Sequence, residues 1–377
     1  MKKLEKYIER PKSVITGSVL EEIHSLKDFP LFFGCVDTPQ EDDLVADMNW
    51  GIDPSSGAIQ LTRLIPLDIL YQEQHVDGTG PTWEKYYEDF SNYITKFNSK
   101  KILEIGGGSG NLAQKSTKLN TKLTWTIVEP NPTIDESDQI KIIPKFFDSK
   151  INVKDEIDTI VFSQVMEHVY DPKGFVKNIF DYLPSNGKVI FAYPKLTSWL
   201  KQNFTNALNF EHTILIDDFV EYLFINQGFE IIEKKSYLDH SFFYTAIKKE
   251  KKNINLKILN KYNEYKSLYL NFVSYHEKLV KELNFKIKNS KEPVYLFGAH
   301  IFATYLFSFG LSKNISGILD NSKLKQNRRL YGTDFIVLSP KVLKGYNSVN
   351  VILKAGLYND EIKKDIHENI NRNVIFW

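Results

Sequence analysis

Apolar and polar positions change rhythm several times along this chain. Within residues 86–250, short runs rich in Ile, Val and Phe alternate with stretches of helical spacing; the runs are 101–105, 123–129, 159–163, 188–193, 229–236 and 242–248. That alternation predicts a wound, mostly parallel sheet with helices on both faces. The last two runs follow each other without a helix, which predicts an antiparallel pair at the sheet's edge. Residues 1–85 are irregular in spacing, with turn signals at 53–57 and 77–78. Residues 250–292 are rich in Lys, Asn, Glu and Leu and contain neither Gly nor Pro, the pattern of a long exposed helix or helix pair acting as a connector. A second β-α-β rhythm follows, with strands over 294–297, 315–319, 349–353 and 374–377 and a helix over 301–309. The expected organisation is a small lobe (1–85), an α/β domain (86–250), a helical connector (251–292) and a second α/β domain (293–377), with no solenoid repeat.

Composition adds exclusions. The chain is 42% hydrophobic, 14% aromatic and 25% charged, a globular balance that rules out a disordered or disulfide-stapled chain. Lys plus Arg number 48 against 47 for Asp plus Glu, so no overall charge steers the protein to nucleic acid. Arg is scarce, which makes Arg63, Arg328 and Arg329 stand out as candidate phosphate forks. The lone Cys35 can form no intrachain disulfide and no thiolate zinc cluster. No apolar run is long enough to span a bilayer, and the amphipathic N-terminus lacks a signal-peptide core. A cytoplasmic protein acting on a small molecule is the expectation, with no membrane insertion; the oligomeric state is left open.

The densest chemical signal lies at 101–111. A strand ends at Glu104 and Ile105 and runs into Gly106, Gly107, Gly108, Ser109 and Gly110, and a helix begins near Asn111. Glycines there allow a tight turn and close approach of a ligand. A dinucleotide fold wants a third glycine where Asn111 stands, and Glu104 would repel a pyrophosphate. A carboxylate suits a cationic ligand instead. Glu129 closes the next strand, 19 residues after Gly110, where an acid can accept hydrogen bonds from ribose hydroxyls; that feature alone fits NAD equally well.

The pattern from Glu104 to Gly110 resembles the first motif of class I methyltransferases, which bind S-adenosylmethionine. The stretch 160–169, with Ser163, Gln164, Glu167 and His168, resembles their fourth motif, in which the strand end meets the ligand. The stretch 145–148, with Phe147 and Asp148, sits where such enzymes often contact adenine. The resemblance implies a Rossmann-like core in which Gly106, Gly108 and Gly110 wrap the methionine and ribose. It also implies that Glu104 serves the amino-acid end, directly or through water. Glu167 and His168 read as helix-start capping and packing, and Tyr71 and Trp83 as packing.

Two further stretches, Leu208 to Thr213 and 295–332 with Gly298, His300, Asp320 and Arg329, make almost the full chain resemble the nucleotide-sugar C-methyltransferases. That family has a zinc-binding N-terminal lobe, a methyltransferase domain and a C-terminal α/β domain. Here Asp53 and Ser56 stand where a pair of zinc thiols belongs, so no metal is expected and the lobe should be held by apolar packing of Leu61, Leu64, Ile65, Leu67 and Leu70. In the family a His next to a Glu acts as base; Glu211 and His212 match that pair, while Asn209 replaces the family's Tyr. His75 is a second acid/base candidate.

The implied reaction is methyl transfer to a nucleotide-activated sugar or a related activated surface-glycan precursor. O-methylation of a sugar hydroxyl or phosphate-linked oxygen is the alternative. An NAD-dependent sugar dehydrogenase or epimerase, which the glycine spacing disfavours, and a non-catalytic binding module stay open. The cluster Lys323, Lys325, Arg328 and Arg329 either grips a diphosphate or forms a solvated face.

Overall fold

The computed structural model describes residues 1–72, 81–151, 153, 156–249, 256–354 and 359–377. At its centre is a seven-stranded sheet: β1 (Lys101–Ile105), β2 (Thr124–Val128), β3 (Ile140–Ile143), β4 (Thr159–Ser163), β5 (Lys188–Pro194), β6 (Phe229–Tyr237) and β7 (Ser241–Lys248). The spatial order is β3-β2-β1-β4-β5-β7-β6. The first five strands pair in parallel, and β7 runs antiparallel to both β5 and β6. The expected edge pair is therefore present. The short edge strand β3 was not among the expected strands.

These strands form because their residues are apolar on both sides of the pleat, as a sheet covered on both faces requires. Ile102, Val161 and Ile190 enter one core with Tyr86, Phe90 and Trp125. Their chain neighbours Leu103, Ile160, Phe162 and Phe191 enter the opposite core with Phe175 and Ile179. The alternation is the period of two that a strand imposes. Strand order reverses between β1 and β4, which opens a crevice at their C-terminal ends.

The N-terminal residues form a second sheet, in which Glu21–Pro30 and Leu44–Ile52 are long paired strands. The sequence reading saw only irregular spacing there, because bulges interrupt the alternation between Glu22 and His24 and between Leu26 and Phe29. Ile214–Leu215 pairs with Ile59–Leu61 of this sheet and so ties the lobe to the segment just after His212. Leu61 and Ile65 are fully buried, as expected of an apolar lobe core. Apolar packing is not the whole account, however. Asp53 is fully buried, and its Oδ2 accepts hydrogen bonds from Ser13 Oγ (2.6 Å), Thr16 Oγ1 (2.7 Å) and Ser56 Oγ (2.7 Å). Burial would raise its pKa; these hydroxyls and the Ser55 amide outweigh that and hold it below the ordinary carboxylate range.

The helix Tyr262–Asn289 corrects the expected exposed connector. Tyr265, Tyr269, Phe272, His276, Val280, Leu283 and Ile287 all lie buried along it. Beyond it, Val337–Leu338, Gly317–Leu319, Val294–Phe297, Val349–Leu353 and Val374–Phe376 build a five-stranded parallel sheet in that order. A loop of this unit reaches back to the N-terminal lobe. Arg329 forms a two-pronged ion pair with the fully buried Asp43, both contacts at 2.6 Å, and Arg328 bonds Asp37. Lys325 pairs with Asp320 at 3.0 Å, and Arg63 with Glu9 at 3.1 Å. The phosphate-fork reading therefore fails for Arg329, whose charge is committed to a buried partner, whereas Arg63 and Arg328 sit in exposed pairs. Among the described residues no helix is long and apolar enough to cross a membrane.

Candidate active site

The crevice at the ends of β1, β2 and β4 opens into a cavity of about 600 Å³. Its floor is the glycine turn. Gly106 and Gly110 have φ of +71° and +73°. A Cβ on Gly106 would sit 2.7 Å from Val165 Cγ2, and one on Gly110 would sit 2.2 Å from Ile134 Cδ1. Only glycine fits either place. The Gly110 amide closes the turn on the Gly107 carbonyl at 2.7 Å, and the helix Asn111–Leu119 starts directly after it.

Two carboxylates flank this turn. Glu104 is buried at the end of β1 and accepts a 2.7 Å hydrogen bond from Trp125 Nε1. Glu129 follows β2. Its Oε2 accepts from the Gly108 amide (3.3 Å) and its Oε1 from the Asn131 amide (3.0 Å). Each carboxylate oxygen carries two lone pairs, so acceptor capacity toward the cavity remains on Glu129.

The other expected binding residues divide. Phe147 lines the cavity, with Phe146 beside it. Asp148 does not; it is exposed and accepts from the Lys150 amide at 2.8 Å. Ser163 and Gln164 line the cavity, yet their side chains are turned to protein partners. Ser163 Oγ is 2.7 Å from the Tyr86 hydroxyl, and Gln164 Nε2 donates to Tyr86 (3.1 Å) and Ser241 (2.9 Å). Gln164 holds φ of +55°, a left-handed backbone that non-glycine residues adopt rarely and that sits here at the mouth of the crevice.

Glu211 and His212 line the same cavity. Neighbours on a strand would face opposite ways, so the pair needs a turn. Asn209 makes it: the buried Oδ1 accepts the amides of both Glu211 and His212 at 2.8 Å. The Asn that replaces the family's Tyr is therefore a turn-maker. His212 lies deep in the wall but keeps surface on the cavity, and burial lowers its pKa while Glu211 opposes the shift. Carbonyls of Asn206 and Ala207 lie near the ring, yet no well-aligned hydrogen bond reaches Nδ1. His75 lies outside the described residues.

Glu167 and His168 correct the capping reading. They occupy a short turn after β4, but Glu167 caps nothing: it is 1% exposed and neither carboxyl oxygen has a hydrogen-bond partner. Burial, helped by the charge of Asp217, pushes its pKa up to about 8. The rings of His168 and His212 meet edge to face, 5.0 Å apart. His168 Nδ1 lies 3.3 Å from the Tyr71 hydroxyl. Tyr71, Trp83, His168 and Trp199 all line the cavity. Sequence reading undervalued them because an aromatic or His at a helix or strand end looks the same in a core and in a site. The adjacency of Glu167 and His168 just past a β-run was the available signal.

The lining also has a charge character. Glu104, Glu129, Asp171 and Glu211 contribute to it, and no Lys or Arg does among the described residues. Such a wall suits a cation and disfavours a pyrophosphate.

Residues 79–234 match the family model described as a methyltransferase domain. None of the curated proteins matches the chain in sequence. Among solved structures, an O-methyltransferase family protein from Burkholderia thailandensis is 8% identical, over 45% of this chain and 57% of its own, with a TM-score of 0.36. Human N-acetylserotonin methyltransferase, in complex with SAM, is 15% identical over 49% of this chain and 60% of its own, with a TM-score of 0.35. The PH0226 protein from Pyrococcus horikoshii is 15% identical over 45% of this chain and 93% of its own, with a TM-score of 0.36. The matched part thus spans under two thirds of the first two proteins. The sheet of residues 101–248 lies within a methyltransferase-type Rossmann-like α/β fold. Residues 79–234 thus carry a methyltransferase domain.

Proposed function

We propose that this domain transfers a methyl group to a nucleotide-activated sugar, or to a related activated precursor of a surface glycan, with Glu211 and His212 as the acid–base pair. The observation that carries the reading is that Glu129, anchored by the glycine turn, and His212 line one and the same cavity. S-adenosylmethionine, when bound, supplies a methyl group already activated on a sulfonium. The protein's own work is then alignment, exclusion of water and, where the acceptor needs it, removal of a proton.

In this reading Glu129 accepts ribose hydroxyls, and Phe146 and Phe147, which line the cavity with it, offer apolar surface for a base. Glu104 presents a carboxylate at the amino-acid end. The acidic wall favours a positive donor over a neutral product, which helps release. His212, neutral near pH 7 because burial lowers its pKa, has the ring form that accepts a proton. Trp83, Tyr87 and Trp199 supply flat surfaces for a sugar ring or a base. With no cation in the described lining, an acceptor's diphosphate would extend outside the cavity and leave only its sugar within.

A second reading takes a sugar hydroxyl as the methylated atom. Asn209 favours it, because its side chain is committed to the turn and no phenol stands there to assist an enolate. In either case the reaction belongs in the cytoplasm, where Cys35 stays a thiol. The test is incubation with labelled S-adenosylmethionine and a panel of nucleotide sugars, followed by mass spectrometry. A product heavier by one methylene supports the reading. Label that never leaves the donor, across the panel and with donor binding intact, contradicts the proposed acceptor class.

A further inference from the structure

Three groups on the acceptor side of the cavity are arranged for more than proton transfer. Glu167, His168 and His212 each direct one ligand atom into a common space, and these atoms all lie within 4.8 Å of one another. We propose that Glu167, His168 and His212 form a binding site for a divalent first-row cation, such as Zn²⁺ or Mn²⁺, open to the methyl-transfer cavity.

Two observations beyond the cluster itself support the site. The first is Glu167. Its carboxyl is almost wholly buried, faces the cavity, and has no hydrogen-bond partner on either oxygen. Buried polar atoms are nearly always satisfied, and a carboxyl with two unmet oxygens marks a missing partner. The second is the way His168 is held. Nδ1 lies 3.3 Å from the Tyr71 hydroxyl, and Nε2 lies 3.8 Å from Glu167 Oε1. A metal-binding imidazole is usually oriented through its other ring nitrogen, and the Tyr71 hydroxyl lies where it can orient this ring through Nδ1. His212 adds a second ring whose Nδ1 is unpartnered.

The distances and chemistry agree with this class of ion. Bonds of about 2.1 Å place ligand atoms roughly 3–4 Å apart, so the set needs to contract by about 1 Å on binding. Two imidazoles and one carboxylate suit borderline first-row ions better than Mg²⁺ or Ca²⁺, which want oxygen throughout. Three protein ligands leave coordination positions facing the cavity, where an oxygen of the acceptor can bind. That last step rests on the methyl-transfer reading, whereas the cation site itself does not. An ion here makes His212 a ligand, so with the ion bound the proton falls to Glu211, the other member of the proposed pair, and His212 serves as base only in the ion-free protein.

The experiment is titration of the full-length protein, without donor or acceptor, by Zn²⁺ in a calorimeter and by Mn²⁺ with paramagnetic resonance of the free ion. One ion per chain is expected. Glu167→Gln, which keeps the shape, and His168→Gln should each weaken binding by on the order of 100-fold. Asp148→Asn, an exposed position outside the cavity, should bind the ion as the native protein does. Circular dichroism and S-adenosylhomocysteine binding verify that each variant is folded. Absence of stoichiometric binding overturns the proposal, and so does binding that survives both Glu167→Gln and His168→Gln. Because neither readout uses methyl transfer, failure here leaves the proposed reaction standing. Failure of the reaction likewise leaves the ion site measurable.

Discussion

Replacing Asp217 with Asn should make the protein more stable at neutral and alkaline pH while changing little in acid. Asp217 is buried behind the acceptor wall; its Oδ2 accepts from the amide and hydroxyl of Thr197 at 3.0 and 2.8 Å, and its Oδ1 has no partner. Burial is the main cause that pushes its pKa from 3.8 up to about 7, with the hydrogen bonds from Thr197 opposing. A carboxyl whose folded pKa is raised contributes stability that is complete below the unfolded pKa. That contribution is lost as pH climbs through the folded one. The window here runs from 3.8 to about 7. At about 1.4 kcal/mol per pH unit, the loss across it is about 4 kcal/mol. Asn cannot ionise and should escape that loss. Urea unfolding followed by circular dichroism at about pH 4 and about pH 8 measures it. The variant's advantage over the native protein should grow by about 4 kcal/mol between the two. A difference that stays constant with pH would mean that Asp217 titrates as an ordinary surface carboxylate, and the burial argument would be wrong.

Other substitutions probe the remaining parts. Asp43→Ala strands the guanidinium of Arg329 in a buried place and should cost about 3–5 kcal/mol, read as a lowered Tm. Asp53→Ala leaves the hydroxyls of Ser13, Thr16 and Ser56 without their shared acceptor; a loss of about 1–3 kcal/mol in urea unfolding is expected. Gly106→Ala adds a Cβ against Val165 in a left-handed turn. It should weaken S-adenosylhomocysteine binding by about 10-fold or more in calorimetry, since the backbone strain alone is about 1–2 kcal/mol. His212→Asn should lower kcat by on the order of 100-fold or more and leave that binding intact.

The parts legible in the sequence were those whose cause is local. Residues 101–105 and 159–163 read as strands because Ile102, Leu103 and Ile105 in the one and Thr159 to Phe162 in the other are apolar or β-branched, and both strands are found at those bounds. The glycine turn was legible because a positive φ demands glycine within a few residues of a strand end. Ile140–Ile143 escaped because four residues at a sheet edge, between turn-rich segments, carry too little pattern. The helix Tyr262–Asn289 was read as exposed because its Lys and Asn content hides a buried stripe spaced at three and four residues, from Tyr265 to Ile287. Pairing across long separations was invisible. Nothing near Arg329 announces Asp43, 286 positions away, so the guanidinium looked available for phosphate. The site showed the same limit. Glu211 and His212 stood out as a pair, but the convergence of Glu167, His168 and Tyr71 on them depends on three loops meeting at one sheet end.

The most direct test of the donor site is calorimetric titration of the full-length protein with S-adenosylhomocysteine, beside the Glu129→Ala variant and beside NADH. The structure leads us to expect one molecule bound per chain, a loss of about 10-fold or more in affinity when the carboxylate next to Gly108 is removed, and no heat from the nicotinamide coenzyme. Equal affinity of native and variant proteins, or saturable binding of NADH with none of the homocysteine compound, would contradict the account.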